Sequence, residues 1–296
     1  MRVSRSIAPA LTGVLVLFSV PDATAQHSAG ERRSGWYVGG GVGVNWSSDI
    51  NQRGSNRDHL CYPSYACFDE KPRPEQSGYR WAYDLQTAVG APFELSTGYQ
   101  LDRLRLELAF GQRMNGIEQV FRSVSDHAER PLDRRRGGTV TAESEYWIDN
   151  LTVRTLAVSA YYDFRGDAGR FAPYVGIGLG PAFAEIRDLH YEQHYGDPGN
   201  DRVYDPPLSH YTSRQDADMA DTVLGGHLHA GADFGVSDRL ALGVKLTYTV
   251  LGDIEYTGTY QEHPLHAVDP NFSNHTTFTG ARYWTLLFTV RYALGG

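Results

Sequence analysis

The chain has 296 residues, with 35 acidic against 27 basic side chains and a formal net charge of -8, and it carries 32 Gly, 19 Tyr, 12 Phe and 5 Trp but only 2 Cys. Outside the N-terminus no run reaches the ~20 apolar residues of a helical span, which excludes a helical membrane protein. A hydrophilic average does not exclude a transmembrane β-barrel, whose strands alternate apolar and polar residues.

The first 25 residues read as an export signal. Arg2 and Arg5 precede an apolar core from Ile7 to Val20, and Ala23-Thr24-Ala25 supplies the small residues that signal peptidase needs, so cleavage is expected before Gln26. The alternative, a retained single-span anchor, is weakened by the short apolar run. Residues 26–34 are polar and aperiodic, a periplasmic stub ahead of a barrel domain over 35–296.

From Gly35 a period of two sets in, the signature of a strand. Trp36, Val38, Gly40, Val42, Val44 and Trp46 form one face, and Tyr37, Gly39, Gly41, Gly43 and Asn45 the other. The two Trp residues stand about one membrane thickness apart on a tilted strand, where aromatic girdles lie. A second run covers 83–101, with Leu85, Val89, Phe93, Leu95, Tyr99 and Leu101 outward. It turns at Asp102-Arg103 into Leu104, Leu106, Leu108 and Phe110.

The pattern repeats twice. Leu156 to Phe164 runs down to a turn at 165–170, and Val175 to Phe183 runs back. Leu224 to Val236 runs down to Ser237-Asp238-Arg239, and Leu240 to Val250 returns. The last strand, within 280–294, has Trp284, Leu286, Phe288, Val290, Tyr292 and Leu294 on one face. Because an unpaired edge cannot sit in lipid, that strand must close a barrel on the first. The expected fold is all-β, an eight-stranded antiparallel up-and-down transmembrane barrel. Short periplasmic turns alternate with long polar connections over about 50–82, 115–148, 188–220 and 258–277.

Register supports this reading. Pairing Gln100 with Arg105 across their turn places Gly98 opposite Glu107 and Glu94 opposite Gly111. The third turn likewise sets Asp233 opposite Gly243 and Gly231 opposite Lys245. A slip by one residue would exchange the two faces, so agreement at separate hairpins assigns a lumen. Its inward charges are Glu94, Glu107, Asp163 and Asp233 against Arg105, Lys245 and Arg291, with His227 and His229 nearby. Eight strands leave a bore just wide enough for side chains to fill, and charges confined there should pair. A plugging ion-pair network is expected, with a gated proton or small-ion path as the alternative.

These runs resemble the OmpA/OmpX/Opa-type outer-membrane β-barrel family. The resemblance rests on G-W-Y-V-G-G-G-V-G at the start, F-E-L-S-T-G-Y-Q-L-D-R-L-R-L-E-L-A-F, Y-Y-D-F before A-P-Y-V-G-I-G-L-G, and the closing strand. It covers residues 35–294 and implies a monomer in the cell outer membrane of a Gram-negative bacterium, delivered by periplasmic chaperones and inserted by the barrel-assembly machinery. The chain departs from the family in ending soon after the last strand, so the peptidoglycan-binding domain is not expected. Tyr292 followed by Ala-Leu-Gly-Gly also stands in place of the usual terminal Phe.

The connections hold the other candidates. Cys61 and Cys67, in C-Y-P-S-Y-A-C, lie in the first external loop of an exported chain and are expected to form a disulfide, with free thiols as the alternative. Arg130, Arg134, Arg135 and Arg136 form either a solvated tip or a contact for lipopolysaccharide phosphates. The acidic third loop, with Asp197, Asp201, Asp205, Asp216, Asp218 and Asp221, lacks EF-hand spacing. Tyr191, Tyr195, Tyr204 and Tyr211, with Phe272, form a recognition surface or pack the loops together. The segment 139–150 continues strand-like into the fourth strand, so hairpins should project above the membrane.

No metal, cofactor, nucleic-acid partner or enzymatic activity is expected, since no Ser-His-acid spacing is visible around His227 and His229. The expected role is structural and through surface loops, against outer-membrane lipid, lipopolysaccharide or a host surface ligand. An adhesin of the Opa or OmpX kind is the alternative, and a lipid A-modifying hydrolase a more distant one.

Overall fold

The computed structural model describes residues 34–133, 142–164, 170–196 and 204–294. The export signal, residues 26–33 of the stub, and Arg134, Arg135, Arg136, Asp197 and Asp201 lie outside them. The first strand begins at Ser34, one residue before the expected start.

The described residues form thirteen strands: β1 (Ser34–Ser47), β2 (Ile50–Asn56), β3 (Tyr79–Thr87), β4 (Phe93–Leu101), β5 (Leu104–Asp126), β6 (Ala142–Trp147), β7 (Asn150–Asp163), β8 (Phe171–Tyr195), β9 (Ser213–Gly235), β10 (Leu240–Leu251), β11 (Ile254–Thr259), β12 (Ser273–Thr279) and β13 (Arg282–Ala293). Eight of them close a ring in the order β1-β4-β5-β7-β8-β9-β10-β13, and β13 pairs back onto β1. Every pair is antiparallel. The hairpin registers match expectation, with Gln100 opposite Arg105, Glu94 opposite Gly111 and Gly231 opposite Lys245.

Outside the ring lies the apolar band that alternation demands. Trp36, Val42, Leu95, Leu106, Ile177, Leu228 and Phe288 are all exposed. Trp36 packs edge-on against Tyr99 at one rim, and Tyr248 lies 4.7 Å from Trp284 at the other. Ten residues from Trp36 to Trp46, at about 3.3 Å each and tilted ~40°, give a belt about 25 Å tall. Glycine serves the inner face where rings must fit: a Cβ on Gly98 would lie 2.3 Å from the Tyr37 hydroxyl. Asp102, at the first short turn, takes a left-handed φ of 53°, a conformation Asp tolerates better than most side chains.

Three strands are far longer than a membrane requires. β5, β8 and β9 have 23, 25 and 23 residues, against the 9–11 or so that cross a bilayer. Their outward side chains turn from apolar to charged partway along, from Phe183 to Glu185 and Arg187 on β8, and from Leu224 to Asp218 and Asp216 on β9. Above that boundary the ladders run β11-β12-β2-β3-β5 and β9-β8-β6, and an Arg214–Glu262 bridge links the two sets. The long connections expected as polar loops therefore contain strands as well as loop, in keeping with the expected projecting hairpins, and they form a cap standing on the barrel.

One expected strand is two. The run 83–101 breaks between Thr87 and Phe93, where Pro92 cannot donate to a ladder and Gly90 bridges Asn45. The break shifts the alternation by one residue. Leu85, expected outward, is 1 % exposed inside the cap base, while Leu95 faces lipid.

Candidate functional site

The interior is built in layers that follow the inward residues upward. Lowest, Arg105 reaches Asp233 at 3.3 Å and Asp163 at 3.6 Å, and Arg291 reaches Asp233 at 2.9 Å. Gln100 donates to Asp163 at 3.0 Å. Above them Lys245 lies 2.7 Å from Glu94 and 3.3 Å from Glu107. Tyr37 and Tyr161 each donate a hydroxyl to Glu107 at 2.9 Å. The Arg105 guanidinium also sits 4.5 Å from the ring centres of Tyr161 and Tyr174. All seven charges named from the sequence thus meet in one network. The tyrosines that complete it stand at inward positions of their strands, and the same alternation places them.

His229 bridges Ser159 at 3.2 Å and Thr247 at 3.0 Å, while His227 contacts Thr249 at 3.0 Å. The two rings stack with centroids 6.0 Å apart. Each Nδ1 faces a threonine hydroxyl, the position in which a catalytic triad holds a carboxylate.

Next comes an apolar layer at the level where β5 leaves the membrane. Ile50, Leu85, Val153, Ile186, Ile254 and Phe278 are buried there, each at most 2 % exposed. Val153 and Ile186 come from the adjacent ring strands β7 and β8, and the other four from β2, β3, β11 and β12 of the cap base. Met219 of β9, Leu251 of β10 and Tyr283 of β13 join them from the rest of the ring.

Above this layer the cap encloses a cavity of about 90 Å³. Its wall holds Tyr65, Tyr79, Trp81, Tyr83, Phe121 and Tyr146 together with side-chain amides from Gln52, Asn56, Gln119, Gln193, Gln215 and Asn274. At one end Asp58, Tyr62 and His263 meet. Tyr62 donates to Asp58, and His263 Nε2 lies 3.2 Å from Asp58 and 3.0 Å from the Tyr62 oxygen. The Leu265 N–H donates to His263 Nδ1 at 3.1 Å, so Nε2 carries the proton. Burial pushes His263 below the usual histidine range, against the opposite pull of Asp58. Burial raises the Tyr62 hydroxyl, and Asp58 raises it further. Tyr260 is pushed up to about 12, mainly by burial.

A roof closes the cap. Cys61 and Cys67 are joined, with Cα atoms 6.1 Å apart, and Tyr65, Phe68, Tyr195, Leu208 and Tyr211 pack beside them. Tyr195, Tyr211 and Phe272 are buried, so of the two expectations for the loop aromatics the structure gives internal packing.

A family model described as outer membrane protein beta-barrel domain matches residues 11–283. The chain belongs to that family. No curated protein matches it. Among solved structures, the outer-membrane barrel is similar to Neisserial surface protein A at 15% identity and a TM-score of 0.42, covering 88% of this chain and 98% of that one. It is also similar to OprG from Pseudomonas aeruginosa at 11% identity and a TM-score of 0.48, covering 90% and 99%. The outer membrane protease OmpT from Escherichia coli overlaps at 10% identity and a TM-score of 0.34, covering 90% and 100%. Overlaps this loose transfer no activity to the present barrel.

Of the remaining candidates on this outer-membrane barrel, Arg130, Asp216 and Asp218 lie on its outer surface. Arg130 is paired with Asp126 at 2.6 Å, and its guanidinium is exposed. Asp216 and Asp218, expected in a loop, sit on β9. Arg214 lies 2.8 Å and His190 2.5 Å from Asp216. Among the described residues no three His, Cys, Asp or Glu side chains come together as a metal group. Apart from Tyr191, the cavity residues escaped the sequence reading. Counting inward positions back from Asp233 along β9 in steps of two would have reached Gln215 and Ser213.

Proposed function

We propose that this outer-membrane barrel passes no solute through its bore and works at the cell surface through its cap. The observation that carries the reading is the apolar layer of Ile50, Leu85, Val153, Ile186, Ile254 and Phe278 across the bore, above an ion-pair network that leaves small spaces of about 30 Å³. Charges paired in a narrow barrel hold one another in place, and an ion entering would have to break a buried pair and then cross apolar side chains. Closure of the ring leaves no free edge in lipid, which suits a monomer.

Exposed strand faces carrying Arg187, Arg214 and Asp216 provide the contact surface for a host ligand. Lipopolysaccharide phosphates are the ligand read from the sequence for Arg130, Arg134, Arg135 and Arg136. Export uses the N-terminal signal, and insertion uses periplasmic chaperones and the barrel-assembly machinery. Hydrolysis of lipid A is not favoured, because His229 has threonine and serine partners and no carboxylate.

The test is conductance of the refolded protein in planar bilayers, with adhesion of whole cells to host matrix measured beside it. Bilayers without steady conductance, together with adhesion that rises on expression, support the reading. A steady open pore overturns it. An altered lipid A mass on expression would move the function to His227 and His229.

A further inference from the structure

The cap cavity has a wall that specifies its occupant. Among the described residues no Lys or Arg lines it, which disfavours an anion. Asp58 is a carboxylate on the wall, but its oxygens already accept from the Leu60 N–H at 2.9 Å, from Tyr62 and from His263. It is not free to hold an ammonium.

The polar atoms left over are of mixed kind. Gln215 and Ser213, each 3 % exposed, line the cavity; the Ser213 hydroxyl is engaged by Tyr62, but the Gln215 Nε2 donor has no partner. The Gln215 Oε1 is engaged by Asn274 at 2.7 Å, which fixes the amide's orientation. Gln119 donates to Gln52, leaving its own Oε1 acceptor unpartnered. A buried donor or acceptor without a partner costs about 1–3 kcal/mol, and these two, a donor and an acceptor, line one space. A methylammonium group offers no acceptor to Gln215. A group that both donates and accepts, a hydroxyl, suits both.

The apolar part of the wall has a matching shape. The Trp81 indole lies directly over Gly54, where an added Cβ would be 2.1 Å from the ring, and Tyr83 stands beside Phe121 and Tyr146. Aromatic faces set against a ring of amides match a molecule with an apolar face and a rim of hydroxyls. One buried water needs about 10–15 Å³, so about 90 Å³ takes a single ring with its substituents and not a chain.

We propose that the cap cavity binds one uncharged sugar residue, with Trp81 against its apolar face and Gln215 and Gln119 on its hydroxyls. The proposal rests on the reading that the cap is the working part of the protein. The sugar can be a unit of the bacterium's own lipopolysaccharide or of a host glycan.

The test uses the full chain refolded in polyoxyethylene micelles, free of glycosides. Glucose, galactose, mannose and N-acetylglucosamine are each titrated, reading tryptophan fluorescence and saturation-transfer NMR. At least one should bind saturably with a Kd of about 1 mM or tighter, and Trp81→Ala and Gln215→Met should each weaken it by about tenfold or more. Gly54→Val, which displaces the indole without removing it, gives a third reading, and heat-modifiable gel mobility reports that each variant is folded. Displacement by lipopolysaccharide core oligosaccharide or by a host-type glycan supports the site and identifies its source. No binding of any of the four sugars to folded protein overturns the proposal, as does unchanged affinity in all three variants or binding of tetramethylammonium in their place. A sugar failure with bilayers still silent removes the ligand and leaves the cap reading standing. An open pore removes the cap reading whatever the sugars do.

Discussion

Lys245 on β10 and Glu107 on β5 meet across the bore at 3.3 Å, with Lys245 4 % and Glu107 8 % exposed. Each also has other partners, Glu94 for the lysine and the Tyr37 and Tyr161 hydroxyls for the carboxylate. Removing one member strands the others. Lys245→Met should lower the barrel's stability by about 3–5 kcal/mol. The double variant with Glu107→Gln should recover part of that loss. Urea unfolding in lipid vesicles, read by tryptophan fluorescence, measures both, and a purely additive pair would show that the two groups are not coupled.

The apolar layer makes a separate prediction. Phe278 on β12 is 1 % exposed and packs among Ile50, Leu85 and Ile254. Phe278→Ala should cost about 3–5 kcal/mol through lost burial and the cavity left behind. Hydrogen exchange should show the loss in the cap base, in β2, β11 and β12, more than in the lipid-facing strands. Equal loss throughout would mean that cap and barrel open as one unit.

The cystine ties a short loop of the roof. Replacing both Cys61 and Cys67 by Ser should remove roughly 2 kcal/mol of loop constraint. Because the bridge touches only the cap, gel mobility of the folded barrel should not change, while protease should gain access near 57–78. Protection equal to that of the native chain would show that aromatic packing around Tyr65 and Phe68 suffices.

The pH dependence of the cap follows from His263. Its folded value lies below the ordinary one of about 6.5, chiefly through burial, so the unfolded cap binds more protons in the interval between the two. Stability from this group is fully present above about pH 6.5 and is lost as pH falls toward the folded value. Near-ultraviolet circular dichroism of the cap tyrosines should therefore hold above about pH 6.5 and weaken as pH falls below it. His263→Gln should flatten that slope. A slope unchanged in the variant would assign the effect to another group.

The barrel was legible because its two faces differ in polarity. Along β5, Leu104, Leu106 and Leu108 alternate with Arg105, Glu107 and Ala109, so register and lumen could both be read, and with them the paired charges. Projecting hairpins could be expected, but the cap's interior was hidden wherever both faces of its strands are polar. β9 begins Ser-Arg-Gln-Asp-Ala-Asp, where inward Ser213 and Gln215 look no different from outward Arg214 and Asp216. β2, Ile-Asn-Gln-Arg-Gly-Ser-Asn, has the same ambiguity. At Leu85 the error had a visible cause, since Gly90-Ala91-Pro92 announces a break that alternation alone steps across.

The unbroken run of β8 and β9 from membrane to cap has a further consequence for how the surface can change. Whatever meets the cell from outside, an antibody or a phage, reads residues of one parity, such as Arg214, Asp216 and Asp218, while the intervening residues face the interior. Substitutions that alter what is seen need not touch what is enclosed. A lineage could replace its visible coat one alternate position at a time and carry the same interior through every version.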